Sequence, residues 1–228
     1  MTAPPLSPSR PFRLRVTGER ACFTRPECKA ERLSYEVMTP SAARGVLEAI
    51  LWKPGMRWLV ERIEVLSPIR WDAVRRNEVW DKASVSILRQ AMTGGDVHPG
   101  IVIEDSRQQR AATILRDVDY IIHARIALTE KAGASDNLPK FVEMFRRRAS
   151  NGQCFQRPYL GTREFAADFQ LLEEEAKSPA PLTESPQFGW MLLDIDYSGP
   201  KPVPLFFEAK LTNGIMDVPA LDSPEVRR

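Results

Sequence analysis

Chemistry at neutral pH needs groups that exchange a proton or groups that hold a charge. This chain is poor in the first and rich in the second. Among 228 residues it has two histidines, His98 and His123. Its cations are mostly arginines, and they cluster: Arg25, Lys29 and Arg32 in one polar stretch, then Arg75 and Arg76, then Arg107 and Arg110, then the run Arg146, Arg147, Arg148. A guanidinium is a planar fork of donors that matches phosphate oxygens in pairs. The clusters therefore read as phosphate-binding patches, with solvated surface charge as the competing reading. Arg146–Arg148 also fall in the last turns of an expected helix, where cations suit the helix dipole, and at least one of them must face away from any shared surface. Cys22, Cys28 and Cys154 make neither an even disulfide framework nor a C-x-x-C pair. They read as packing residues in a reducing, cytoplasmic setting, and no metal site is expected.

Composition sets the frame. Apolar residues make up 43% and charged residues 27%, as in an ordinary globular chain with a proper core. No apolar run approaches the roughly 20 residues that span a bilayer, and the Pro-rich start lacks the apolar stretch of a secretory signal. Net charge is only +2, but it is unevenly placed. Residues 1–32 hold seven Lys and Arg against three Asp and Glu, and residues 137–163 hold six against one. Residues 164–228 hold five against twelve. Two basic segments and an acidic final third point to one cationic face.

The elements that must position these groups follow from periodicity. Phe12, Leu14 and Val16 alternate with arginines, which predicts a strand over 12–16. Thr39 is a good N-cap and Pro40 suits the first helical position. Ala43, Val46, Leu47 and Ile50 then form the stripe of a core-facing helix, stopped at Pro54-Gly55. Met56–Leu66 reads as a strand with Leu59, Ile63 and Val65 on one side and Trp58 and Val60 on the other. Arg75–Val79 is expected as a short strand, and Gly94-Gly95 and Pro99-Gly100 mark a long loop. Asp117–Leu128 reads as a strand with Tyr120, Ile122, Ala124 and Ile126 on its apolar face, leaving His123 and Arg125 on the other. A second helix is expected from about Leu138 to Asn151, capped by Asp136 or Asn137, with Leu138, Phe141, Val142 and Phe145 buried and Gly152 at its end. Phe165–Leu171 is a further strand, and Trp190–Ile195 and Val203–Leu211 are expected to pair as a hairpin with a long connection. The order suits an α+β, ferredoxin-like βαββαβ antiparallel sheet with two helices on one face, over residues 1–178, followed by a small β-hairpin extension over 179–228.

Six stretches carry a family resemblance: Phe23–Glu27, Ser34–Gly45, Leu47–Pro54, Arg75–Glu78, Arg107–Arg110 and Gly161–Phe165. Together they resemble the CRISPR-associated Cas five family of type I-C, the Dvulg subtype of the RAMP superfamily, from about residue 12 to 175. The resemblance implies a ferredoxin-like core with a β-rich C-terminal extension. It implies a protein that binds CRISPR repeat RNA, cuts the precursor at each repeat without a metal or cofactor, and stays on the 5′ handle of the guide RNA. There it would join the backbone and large subunits of an interference complex, away from any membrane. Arg25, Lys29, Arg32, Arg75, Arg76, Arg107, Arg110, Arg146–Arg148 and Arg163 would contact RNA. Trp52, Phe23 and Tyr35 are candidate stacking residues, with Trp52 equally a core candidate.

Cutting RNA without a metal requires removing a proton from the 2′-hydroxyl, giving one to the leaving oxygen and stabilising the phosphorane. The family is understood to use a Tyr near the end of the first helix and a Lys-His pair at the start of the second. Carried over, these positions are Leu51, Lys140 and Phe141. Only Lys140 keeps its chemistry, as a stabiliser of phosphorane charge or a phosphate ligand. If Phe141 is packed in the core, Lys140 moves to the helix rim, which favours phosphate binding. His123 is the first candidate substitute, with His98, Tyr35 and Tyr120 behind it. The alternative is a catalytically inactive subunit that only caps the 5′ handle.

Overall fold

The computed structural model describes residues 8–28, 30–173 and 180–228. The first strand, β1 (Phe12–Ala21), buries Phe12, Leu14 and Val16 as the alternation requires, and runs further than expected. A two-residue strand, β2 (Arg32–Leu33), leads to α1 (Pro40–Ile50). The Thr39 hydroxyl accepts the Ala42 N–H at 3.3 Å, and the whole predicted stripe is buried. Strand β3 (Met56–Val65) contains a break in register between Val60 and Arg62. That extra residue flips the pleat. Trp58, Val60, Ile63 and Val65 thus pair with Ile126, Ala124, Ile122 and Tyr120 of the core-facing row, whereas Leu59 pairs with Arg125 on the other face. This corrects the two-sided assignment of β3.

The segment 67–112 holds more order than its sequence promised. Strand β4 (Trp71–Val79) is followed by α2 (Val85–Met92), a single turn α3 (Ile103–Ser106) and the 22-residue strand β5 (Arg107–Leu128). Strand β5 is the spine of the molecule. Its first half pairs with β4 and, in parallel, with β2, and its second half lies between β1 and β3. Asp117 separates the halves with a left-handed φ of 53°.

Helix α4 (Leu138–Ser150) is capped by Asn137, whose side chain accepts the Lys140 N–H at 2.9 Å. The remaining strands are β6 (Asp168–Leu172), β7 (Gln187–Asp196), β8 (Val203–Lys210) and β9 (Ile215–Asp217). The main sheet runs β6-β1-β5-β3-β9, antiparallel along that path, and β7 and β8 pair as the expected hairpin.

Helix α1 packs on β3, and α4 packs on β5, β6 and α1. The Phe145 ring fixes α4 by standing edge-on to Phe12 at 4.9 Å and to Trp58 at 4.6 Å. Met191, Leu193, Leu205 and Phe207 of the β7–β8 hairpin join the same core. Among the described residues no helix is long and apolar enough to cross a membrane.

Candidate nucleic-acid interface

Four of the six motif stretches converge where the β4–β5 hairpin leaves the sheet. Arg76 pairs with Arg110, Asn77 with Gln109 and Glu78 with Gln108, so two segments far apart in sequence become one surface. Strand β2 brings Arg32 beside Ala112. The 22–25 segment is held to β2 through Arg25 N–H to Leu33 C=O at 2.8 Å, and to the 160–165 loop through Cys22 N–H to Leu160 C=O at 3.0 Å. Gly161 permits that last approach. It has φ 83°, and a Cβ there would stand 2.0 Å from the Cys22 carbonyl oxygen, so only glycine fits.

On the resulting surface three guanidiniums surround one carboxylate. Glu78 has Arg76 at 3.4 Å, Arg32 at 3.5 Å and Arg110 at 3.7 Å. Glu164 makes a close ion pair with Arg76 from the neighbouring loop. Arg75 and Arg107 project from the other face of the hairpin and are exposed, as is Arg163 on the loop.

Two other predicted contacts, Arg25 and Arg148, hold structural positions. Nη2 of Arg25 donates to both carboxylate oxygens of Glu36, at 2.9 and 2.8 Å, and its guanidinium lies 4.5 Å over the Tyr35 ring. Arg25 is thus an internal brace, and Phe23 and Tyr35 are buried and offer no face for stacking. Arg148 donates to the Ile50 carbonyl at 2.8 Å, filling an acceptor that the end of α1 leaves open. Arg146 lies 6.0 Å from the Phe12 ring centroid, and both it and Arg147 are exposed. Trp52 is 54% exposed and is not a core residue. Cys22 is buried but Cys154 is exposed, so the latter does not pack as expected. Lys29 lies outside the described residues.

The positions carried over for catalysis lie elsewhere, where α1 ends and α4 begins. Leu51 is 0% exposed and Phe141 is 1% exposed. Neither side chain has a proton to exchange, and both face the core. Lys140 is exposed on the rim, with Nζ 3.0 Å from Asp136 and 3.3 Å from the Ser135 carbonyl. The Lys140 hydrogen bond holds the Asp136 carboxyl below its usual range. The substitutes are no better placed. His123 Nε2 sits 2.5 Å from Glu64, on the sheet face away from the helices, and burial pushes its pKa down against the pull of that carboxylate. Tyr120 is buried, and desolvation raises its phenol far above the usual value. The Tyr35 hydroxyl accepts the Leu192 N–H at 3.3 Å, and burial raises its pKa too. His98 lies in the hairpin insertion, where its Nδ1 accepts the Gly100 N–H at 3.2 Å. Among the described residues no three His, Cys, Asp or Glu side chains gather as a metal would require.

Sequence reading missed Glu78, Glu164 and Trp80 as parts of this surface. Strand alternation was the available signal: residues 76, 78 and 80 share a face once β4 is recognised as continuous.

A family profile described as CRISPR-associated protein (Cas_Cas5), Cas5d type, matches residues 12–219. The chain belongs to the Cas5d family. It is similar to a CRISPR pre-crRNA endoribonuclease Cas5d of Mannheimia succiniciproducens, 50% identical over 222 residues that cover 95% of this chain and 98% of the relative. It is also similar to the CRISPR pre-crRNA endoribonuclease Cas5d of Thermus thermophilus, 39% identical over 235 residues and 95% of each chain. A solved structure described as a CRISPR-associated protein superposes with a TM-score of 0.70 at 22% identity, covering 98% of this chain and 99% of that one. At that identity the superposition speaks for the fold alone. The shared fold includes the β7–β8 hairpin, where no motif was legible.

Proposed function

We propose that this Cas5d chain binds CRISPR repeat RNA and holds the 5′ handle of the guide RNA within a type I-C interference complex. The observation that carries the reading is the convergence of the Arg75–Glu78, Arg107–Arg110, Phe23–Glu27 and Gly161–Phe165 segments on one surface. Nothing in the packing of a small sheet requires three arginines to gather there, whereas phosphate recognition does. Exposed Arg163 lies on the neighbouring loop, and Arg75 and Arg107, on the other face of the hairpin, offer further contacts to an RNA that wraps it.

The chain holds RNA rather than cutting it by the Tyr-Lys-His route, because two of those three positions are buried hydrocarbon or phenyl groups. Each missing acid–base group removes about 10²–10⁴-fold in rate. Lys140 then serves as a phosphate ligand on the rim of α4. Cleavage is the second reading, favoured by the name of both relatives, each an endoribonuclease.

The sheet order β6-β1-β5-β3 with α1 and α4 as crossovers supports a ferredoxin-like core. Residues 179–228 extend it with the hairpin, and the boundary itself falls in residues 174–179, outside the described ones. The free cysteines and the absence of a spanning helix among the described residues fit a cytoplasmic protein working with backbone and large subunits.

One experiment tests both readings. Purified chain is mixed with labelled repeat RNA in EDTA, alongside a scrambled RNA of equal length. The expected result is retention of the repeat over the scramble with no product ending in a 2′,3′-cyclic phosphate. Such a product replaces the holding role with cleavage, and equal retention of both RNAs removes the repeat-specific role.

A further inference from the structure

Trp80 follows β4 directly and is 66% exposed, an unusual position for an indole. Its backbone is fixed by a Trp80 N–H to Ser106 C=O bond of 2.8 Å, and the next residue is tied down by Asp81 N–H to Ser106 Oγ at 2.9 Å. The ring is therefore carried on a braced stem rather than on a loose loop. It shares the hairpin face of Arg76, Glu78 and Arg110, and the Arg110 guanidinium stands 5.9 Å from its centroid. An exposed indole next to three guanidiniums combines a flat apolar surface with concentrated positive charge.

The carboxylate inside that cluster is loosely held. Its three arginines stand at 3.4–3.7 Å. Tight charged pairs in the same molecule are much shorter: Arg25 to Glu36 at 2.8 Å and Arg15 to Asp119 at 2.7 Å. Moreover, Nε of Arg76 is buried with no hydrogen-bond partner among the described residues. Glu78 thus occupies the centre of an anion-shaped site without satisfying it.

Resting on the RNA-holding reading above, we propose that Trp80 and the Arg32–Arg76–Arg110 cluster form a subsite for one unpaired nucleotide of the RNA. The base stacks on the exposed indole, and the adjoining phosphate takes the place of the Glu78 carboxylate among the guanidiniums. Glu78 is an internal competitor that holds the three arginines together when no RNA is bound. A nucleotide satisfies both halves of the site at once. An apolar protein segment would use the indole and leave the cations to their loose pairing with Glu78, and free phosphate would use the cations and leave the indole bare.

Opposite responses of two variants test this. Trp80→Ala removes the stacking face at an exposed position and is expected to weaken repeat-RNA binding by about ten-fold, while Trp80→Phe keeps most of it. Glu78→Gln removes the competing charge and is expected to tighten binding several-fold. Trp80 emission, obtained as the difference between wild type and Trp80→Phe, is expected to quench on adding repeat RNA but not on adding inorganic phosphate. Thermal unfolding of each variant checks that the fold is kept. If wild type binds repeat RNA while both Trp80→Ala and Glu78→Gln bind as wild type, the subsite is wrong and the RNA-holding role stands. Weakened binding in Glu78→Gln shows that Glu78 positions the arginines and overturns its role as competitor. If wild type binds no repeat RNA, both the role and the subsite fall.

Discussion

Leu51 and Phe141 determine what can be asked of the chain chemically, and packing determines what restoring their counterparts would cost. Phe141→His places an imidazole in an apolar core without a partner, at a cost of about 1–3 kcal/mol. Leu51→Tyr adds volume where none is open, costing about 1–3 kcal/mol. Urea unfolding of the two single variants measures both costs, and wild-type stability in either would mean that end of α1 is roomier than its burial indicates. Gly161→Ala should lose about 1–3 kcal/mol or more, because its Cβ would meet the Cys22 carbonyl and its φ is left-handed. His123 gives a pH dependence with a definite sign. Burial lowers its folded pKa, so the unfolded chain takes up a proton first as pH falls. Its contribution is complete above the ordinary value of about 6.5 and is lost as pH drops through the lower folded value. Between pH of about 7 and about 5, His123→Gln should therefore lose less thermal stability than wild type, and identical declines would contradict the assignment.

Among the elements, β5 organises the rest. Strands average about 5–6 residues, and this one has 22. It is two strands in series, joined at Asp117, whose left-handed φ lets the chain turn between serving the sheet and serving the hairpin. Asp tolerates that conformation and β-branched residues do not. Asp117→Gly should leave the melting temperature unchanged or raise it, whereas Asp117→Val should lose about 1–2 kcal/mol. Its ion pair with Arg70 at 3.4 Å is too exposed to account for such a difference. Equal melting of the Gly and Val variants would rule out backbone strain as the reason for Asp at that position. The two helices α1 and α4 were legible in the sequence because their stripes and caps are local. The hairpin was legible only as two isolated motifs, since its pairing spans an insertion that local periodicity cannot bridge. Helix α2 was hidden for a different reason. Ser84 does cap it, with Oγ accepting the Ile87 N–H at 3.4 Å, but α2 buries none of its residues and the nearby Gly and Pro pairs dominate the reading. The β3 bulge left no local trace either, and one extra residue was enough to reverse the assignment of a face. In the same way, the candidate site was legible as a set of basic motifs, but not as a geometry in which some arginines brace the fold and others gather round Glu78.

Over the whole molecule, the uneven charge of the sequence folds back on itself. Carboxylates of the acidic final third pair with arginines of the rest of the chain, mostly from residues 33–136. Glu164 pairs with Arg76, Asp194 with Arg44 at 2.7 Å, Asp217 with Arg62 at 3.0 Å and Asp168 with Arg157 at 3.0 Å. These pairs leave a surface of partly neutralised arginines with a few exposed ones among them. That pairing has a measurable consequence in RNA binding. Each phosphate contact to single-stranded RNA contributes about −0.7 to the slope of log affinity against log salt. Contacts by Arg75, Arg107, Arg163 and Lys140 plus the phosphate at the Glu78 cluster predict a slope of about −3.5. A Glu78→Gln variant should keep that slope while binding more tightly, because it removes a competitor without adding a contact. A wild-type slope of about −6 or steeper would require the braced arginines, Arg25 among them, to leave their carboxylates on binding. The fold would then have to open around Glu36 and Tyr35 as RNA entered, instead of presenting a surface already built.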